Sequence, residues 1–162
     1  MDGFVKKVRL ATALALMFIL AAGVFLESEE RSAQEVAASY AVAARASDIE
    51  LLARLVAGEA SGEPYIGQVA VAAVVLNRVK SSKFPDTIPE VIYQPGAFES
   101  VSNGQIWARN PTSTNYNAAR DALNGWDPTY GSLFFWNPYK RVNPWIWTRR
   151  IITQIGRHVF AR

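Results

Sequence analysis

Apolar and polar positions divide the chain into three regimes. Lys6, Lys7 and Arg9 precede a stretch from Leu10 to Leu26 that carries no charge, and Glu27, Glu29 and Glu30 close it. As a helix that stretch spans ~26 Å, close to the ~30 Å hydrocarbon core of a bilayer. The pattern predicts a transmembrane signal-anchor over residues 1–26, its basic end in the cytoplasm and the remainder of the chain outside. The nearest good small-x-small cleavage site, Ala41-Val42-Ala43, lies well beyond the apolar run. This favours an uncleaved anchor over a removed signal peptide. Residues 27–46 are rich in Ala, Ser and Glu, with Val36, Tyr40 and Val42 as their larger apolar side chains. They are read as a stalk, and a folded domain is expected over 47–162.

Within that domain the periodicity changes from helical to strand-like. Leu51, Leu52, Leu55 and Val56 form a helical stripe. Ser47-Asp48-Ile49-Glu50 fits a capping box at its start, and Gly58 is the expected stop. A second helix follows Pro64, with Glu63 contributing to its cap. It is apolar on most faces from Val69 to Leu76 and is therefore the expected central, buried helix. Asn77-Arg78 breaks that pattern near its end. Phe84-Pro85 and Ile88-Pro89 mark a loop with a helical turn at Glu90–Tyr93. Gln94-Pro95-Gly96 and Asn103-Gly104 read as turns, and a third helix is expected from Asn115 to Leu123, ended by Asn124-Gly125. From Trp126 onward, aromatic and β-branched residues broken by Gly and Pro predict short strands, best at Leu133–Trp136 and Gly156–Phe160. The fold class is α+β, mainly helical with a small C-terminal β element.

Composition narrows the chemistry. Cysteine is absent, which excludes a disulfide framework and a thiolate metal site. The single histidine, His158, excludes a histidine metal cluster, leaves a Ser-His-Asp triad without support, and is expected to be a hydrogen-bonded structural residue. No metal and no organic cofactor is implied. The formal net charge of +3 suits approach to an anionic polymer. No recognition motif accompanies it, so nucleic acid is not an expected partner. Lys140-Arg141 and Arg149-Arg150 are read as solvated or polymer-contacting faces.

One carboxylate stands out. Glu59 falls where the first helix ends, and the helix dipole there disfavours a negative charge. Apolar neighbours on both sides add to the cost of ionisation. A carboxylic acid that keeps its proton near neutral pH is what glycosidic cleavage needs as general acid. Glu63 and Asp127 are the other candidates. Gly62 and Pro64 prevent a continuous-helix pairing of Glu63 with Glu59, and Asp127 precedes Pro128, so the first is read as a cap and the second as a turn organiser. As a second acid, either would have to stand about 5–5.5 Å from Glu59 for retention or about 6.5–9.5 Å for inversion.

Residues 49–160 resemble the cell wall hydrolase family of the spore-cortex-lytic (SleB-like) type. The matching pieces are GEASGEP at 58–64, GQVAVAAVVLNRV at 67–79, FPDTIPEVIYQPGAF at 84–98, NGQI at 103–106, ALNGWDPTYG at 122–131, FFWNP at 134–138 and IGRHVF at 155–160. The resemblance implies a lysozyme-like catalytic domain that cleaves peptidoglycan glycan strands with one essential Glu, corresponding to Glu59. It makes Gln68, Phe98, Gln105, Trp126, Asp127, Phe135 and Asn137 the expected substrate-binding set. One or two of the five tryptophans are expected to pack on sugar faces. The chain departs from the family pattern at Phe134-Phe135-Trp136, where relatives commonly carry tyrosines. Two chemistries stay open. A lytic transglycosylase would cut between N-acetylmuramic acid and N-acetylglucosamine with Glu59 alone and form a 1,6-anhydro end. A hydrolase would use water and Glu63 or Asp127. A catalytically inactive peptidoglycan-binding protein is the third reading. The expected location is the outer side of the cytoplasmic membrane, with export after signal cleavage or a phage endolysin with a releasable anchor as alternatives.

Overall fold

A computed structural model describes the backbone of residues 2–162 and the side chains of residue 23 and residues 26–162. The chain divides into two compact units, Met1–Ala44 and Arg45–Arg162. From Asp2 onward the first belongs to helix α1 (Asp2–Ala60). Its side chains from 26 to 44 are exposed, and Ser32 and Ser39 donate their hydroxyls to the carbonyls of Glu29 and Val36. The expected span over 1–26 falls, apart from Gly23 and Leu26, outside the residues with described side chains. Among the described residues, no helix is long and apolar enough to cross a membrane.

In the second unit, α1 supplies the predicted stripe, with Leu52, Leu55 and Val56 fully buried. Its predicted ends are not its real ones. Ser47-Asp48-Ile49-Glu50 lie inside the helix, because the alanine-rich sequence before them contains no residue that breaks the hydrogen-bond ladder. Glu50 does not reach back to a cap. It pairs with Arg54 at 2.7 Å and accepts from the Tyr116 hydroxyl. Gly58 does not stop the helix either, which runs on to Ala60. A Cβ at Gly58 would stand 2.5 Å from the Cβ of Ser100, so this glycine permits a close approach.

Helix α2 (Tyr65–Val79) is the central element, buried from Gly67 through Val75. Its fully buried valines, Val69, Val71, Val74 and Val75, each contribute about 1.5–3 kcal/mol relative to exposure. Pro64 occupies its N-cap position and no side chain caps it, so Glu63 does not cap α2 as expected. Helices α3 (Ile88–Tyr93), α4 (Glu99–Ser102) and α5 (Gln105–Ala108) are short. The first starts on a Thr87 cap. Helix α6 (Ser113–Leu123) begins two residues before the predicted start, because Thr112 and Asn115 form a reciprocal capping box. Its Ala118, Ala119 and Ala122 join the same core as α2.

Strands β1 (Phe134–Trp136), β2 (Ile151–Ile155) and β3 (His158–Ala161) form an antiparallel sheet in the order β1-β3-β2. Only β2 lacked a sequence prediction. It carries Gln154 and exposed Ile151 instead of a clean buried face. The pleat separates the aromatics of β1. Phe135 packs toward Phe160 and His158, with ring centroids 6.0 and 5.3 Å away. Phe134 and Trp136 meet Trp145 and Trp147, at 5.5 and 5.3 Å. Gly156, at φ +57°, turns β2 into β3.

Candidate active site

A cleft of about 1060 Å³ lies between the end of α1, the 94–100 segment leading into α4, and the β1 and β2–β3 side of the second unit. Glu59 lines it from the last turn of α1. Its Oε1 accepts the Ser100 N–H at 2.7 Å. Oε2 has no hydrogen-bond partner among the described residues. A proton carried by Glu59 is therefore directed to Oε2, because Oε1 already serves as an acceptor.

Arg78 is a buried cation lining the cleft. Its Nε donates to the Leu133 carbonyl at 2.8 Å. Its guanidinium lies over the rings of Phe98, Phe84 and Phe134, with centroid distances of 4.9, 5.2 and 5.9 Å. Burial pulls Arg78 down to about 10, against the opposing pull of the Glu59 charge. It thus remains a cation at neutral pH. The sequence did carry a signal for it. Arg78 follows Val74 and Val71 at helical spacing, on a face that is otherwise apolar.

Glu63 also lines the cleft, but its oxygens are occupied. Oε1 accepts from Arg157 Nε and Oε2 from the Arg157 backbone N–H, each at 2.8 Å. Arg157 also donates to the Gly62 carbonyl at 3.0 Å. Burial alone would raise the Glu63 pKa, but the hydrogen bonds and charge of Arg157 and the His158 charge outweigh it and hold it below the usual range. Any Cβ at position 156 would fall 2.2 Å from Glu63 Oε2, so the hairpin glycine is what lets the carboxylate reach its partner. Glu63 is thus a clamp between the α1–α2 corner and the β2–β3 hairpin. Glu99, the third acid of the cleft, is exposed and pairs with Lys140 at 3.3 Å.

Of the expected catalytic residue and substrate-binding set, five meet at this cleft: Glu59, Phe98, Gln105, Phe135 and Asn137. Phe98 and Phe135 pack together at 6.2 Å. Asn137 Oδ1 accepts from the Tyr139 N–H at 2.9 Å, fixing the turn after β1. Gln94, Trp136 and Trp145 line the cleft as well. Three expected substrate-binding residues are not brought to it. Gln68 is buried between the Glu63 carbonyl, at 3.2 Å, and Asn115, at 2.8 Å, because its turn of α2 faces α6. Trp126 packs against Tyr65 at 6.1 Å. Asp127 organises its own loop, accepting from Thr129 N and Oγ1, Gly131 N and Asn77 Nδ2 at 2.6–3.0 Å. Burial pushes the Asp127 pKa up, but these hydrogen bonds prevail and lower it.

His158 is buried at the edge of the cleft, where burial lowers its pKa despite the Glu63 charge. It is neutral at pH 7 and packs edge-on to Phe135. Its Nδ1 has no partner, so the hydrogen-bonded role expected from the sequence is not what the ring does. The basic residues Lys140 and Arg141, read as solvated or polymer-contacting faces, line the cleft together with Arg109, whose guanidinium donates to Ser61 Oγ at 2.6 Å. Ser100, Arg109 and Arg157 gave no sign in the sequence, since each acquires its place through contacts far along the chain.

Comparison with known proteins agrees with the fold. The cell wall hydrolase family profile matches residues 62–161. Spore cortex-lytic enzymes of Bacillus cereus and Oceanobacillus iheyensis are 52% and 53% identical over 116 residues, 72% of this chain. The chain spans 44% and 42% of those relatives, less than half of their length. Among solved structures, the SleB catalytic domain of Bacillus cereus superposes with a TM-score of 0.66 at 52% identity, covering 71% of this chain and 89% of that one. The Bacillus anthracis SleB catalytic domain gives 0.67 at 51% identity, covering 71% and 93%. These match the second unit's architecture, mostly helical with a small antiparallel sheet. The chain belongs to the cell wall hydrolase family and carries the SleB catalytic-domain fold.

Proposed function

We propose that the chain is a peptidoglycan lytic transglycosylase in which Glu59 serves first as acid and then as base. Glu59 Oε2 gives its proton to the glycosidic oxygen between N-acetylmuramic acid and N-acetylglucosamine, and the bond from that oxygen to the muramic C1 breaks through an oxocarbenium-like state. The resulting carboxylate takes the proton of the muramic C6 hydroxyl. O6 bonds to C1, closing the 1,6-anhydro ring without added water. Intramolecular attack of this kind profits from proximity alone. The observation that carries the reading is the difference between the cleft's acids. Glu59 keeps one oxygen free of protein partners, whereas both oxygens of Glu63 are held by Arg157. The Bacillus anthracis relative is described as a germination-specific lytic transglycosylase, which supports the same chemistry.

Phe98, Gln105, Phe135 and Asn137 form the sugar-binding surface in this reading, and the relation to lysozyme-like enzymes rests on the shared use of one glutamic acid. The membrane anchor over 1–26 and the stalk over 27–46 belong to the same proposal. They hold the domain of residues 47–162 on the outer side of the cytoplasmic membrane. Mass spectrometry of muropeptides released from purified wall tests the chemistry. Products one water lighter than hydrolysis products, with ends that resist borohydride, are expected, and Glu59→Gln should release none while staying folded. Reducible muramic ends, together with a folded but inactive Glu63→Gln or Asp127→Asn, would instead establish hydrolysis.

A further inference from the structure

Six phenylalanine and tryptophan side chains line the cleft among the described residues. Five of them belong to the protein's own packing. Phe98 and Trp136 are buried. Phe84, Phe134 and Phe135 are half-buried against other rings, and the Arg78 guanidinium lies over Phe84 and Phe134 as well as Phe98. Trp145 differs, being 45% exposed. The chain nevertheless holds it in place. It sits in a short 3-10 helix, Pro144–Thr148, where Asn143 Oδ1 accepts the Trp145 N–H at 3.3 Å. Val142 and Ile146, on either side of it in sequence, pack against the cluster of Trp136, Val159 and Ala161. The indole meets Phe134 in a T-shaped contact at 5.5 Å, and the Arg149 guanidinium lies 5.3 Å from its centroid. Leaving that much indole in water forfeits the stabilisation that burial would give. A fixed, exposed aromatic side chain inside a concave site is the form that a binding platform takes.

We propose that Trp145 is a stacking platform for a pyranose ring of the glycan strand, one outside the pair whose bond Glu59 cleaves. This inference rests on the glycan-cleaving reading above. The flat face of a β-linked N-acetylhexosamine presents C–H groups that pack on indole, while its hydroxyl and acetamido groups point outward. Glu59 stands on another wall of the cleft, in the last turn of α1, where the Ser100 N–H holds it. Its charge acts on Arg78, Arg78 stacks on Phe134, and Phe134 touches Trp145. Along this line two side chains stand between the acid and the indole. The cleft of about 1060 Å³ exceeds the about 300–1,000 Å³ that houses one drug-sized ligand. It therefore has room for a sugar beyond the reacting pair.

The test compares Trp145→Ala, Trp145→Tyr and Trp145→Leu in the full chain on long glycan strands purified from wall. For Trp145→Ala, kcat/KM should fall about tenfold, the effect of one lost ring contact. The loss should appear in KM, because a sugar outside the reacting pair is held equally in the ground and transition states. Trp145→Tyr keeps a ring for the sugar and for Phe134, and should retain most of the efficiency. Trp145→Leu keeps apolar bulk without a ring, and should lose as much as the alanine variant. In a Glu59→Gln background, which tests binding without cleavage, Trp145→Ala should weaken co-sedimentation with the same strands by a similar factor. Leucine serving as well as tyrosine, or a loss confined to kcat, would make Trp145 a packing residue and overturn the platform. So would unchanged strand binding in the Glu59→Gln background. A wild type that cleaves no wall preparation would overturn the glycan-cleaving reading, whereas a cleaving wild type matched by Trp145→Ala would overturn the platform alone.

Discussion

Replacing Arg157 with alanine removes the side-chain half of the Glu63 clamp and leaves the other half in place. The Nε–Oε1 bond at 2.8 Å and the donation to the Gly62 carbonyl at 3.0 Å are lost, while the backbone N–H of residue 157 still reaches Oε2. A charge-assisted hydrogen bond contributes about 1.5–3 kcal/mol. The Arg157 side chain is 59% exposed against 3% for Glu63, so solvent screening reduces the figure to about 1–2 kcal/mol at neutral pH. For a domain of this size that is a fall of roughly 4–8 °C in melting temperature. The pH dependence identifies the cause. Glu63 has a depressed folded pKa, so its contribution is present above the unfolded value of about 4.3. It is lost as pH falls through the folded value. The gap between wild type and Arg157→Ala, measured by urea unfolding from pH 7 to pH 3, should therefore narrow toward acid. In a Glu63→Gln background, Arg157→Ala should have a smaller effect, that of the lost Gly62 contact, and one that does not change with pH. A gap that stays constant across the range in the wild-type background, or one that is undiminished in the Glu63→Gln background, would refute the clamp.

Arg78→Lys keeps the charge but loses the planar stack on three rings and the fixed Nε donor to Leu133. It should cost about 1–3 kcal/mol, read as a lower urea midpoint with an unchanged slope. For the N-terminus, the full chain should fractionate with membranes at its uncleaved mass, and a version beginning at Ser47 should stay in solution and cleave purified wall. Recovery from cells of only a shortened, soluble form would instead establish signal cleavage.

What was legible in the sequence was what depends on near neighbours. The apolar run of α2, the leucine stripe of α1 and the turn at Asn124-Gly125 follow from spacing within one element, and all three are present. Helix ends were less legible, because Ser47 is a good cap only if something before it interrupts the helix, and nothing does. The site itself is assembled from distant pieces. Glu59 meets Ser100 across 41 residues and Glu63 meets Arg157 across 94. No local pattern reports such a pairing. Gln68 and Asp127 illustrate the converse. As neutral or acidic side chains on family motifs they suited a sugar site, but they lie where α2 meets α6 and in the 127–131 loop, and their polar atoms serve the fold.

Gly58 and Gly156 join the two levels. Both were visible in the sequence, one as a helix stop and the other as the start of a strand, and in both places the requirement is tertiary. Gly58 makes room for Ser100 and Gly156 for the Glu63 carboxylate. The two acids of GEASGEP, four positions apart in sequence, are thus each served by a glycine and each held by a backbone N–H from elsewhere in the chain. What separates them is the third contact. Glu63 receives a guanidinium and is held as an anion. Glu59 receives none on Oε2, and that oxygen is left to the cleft.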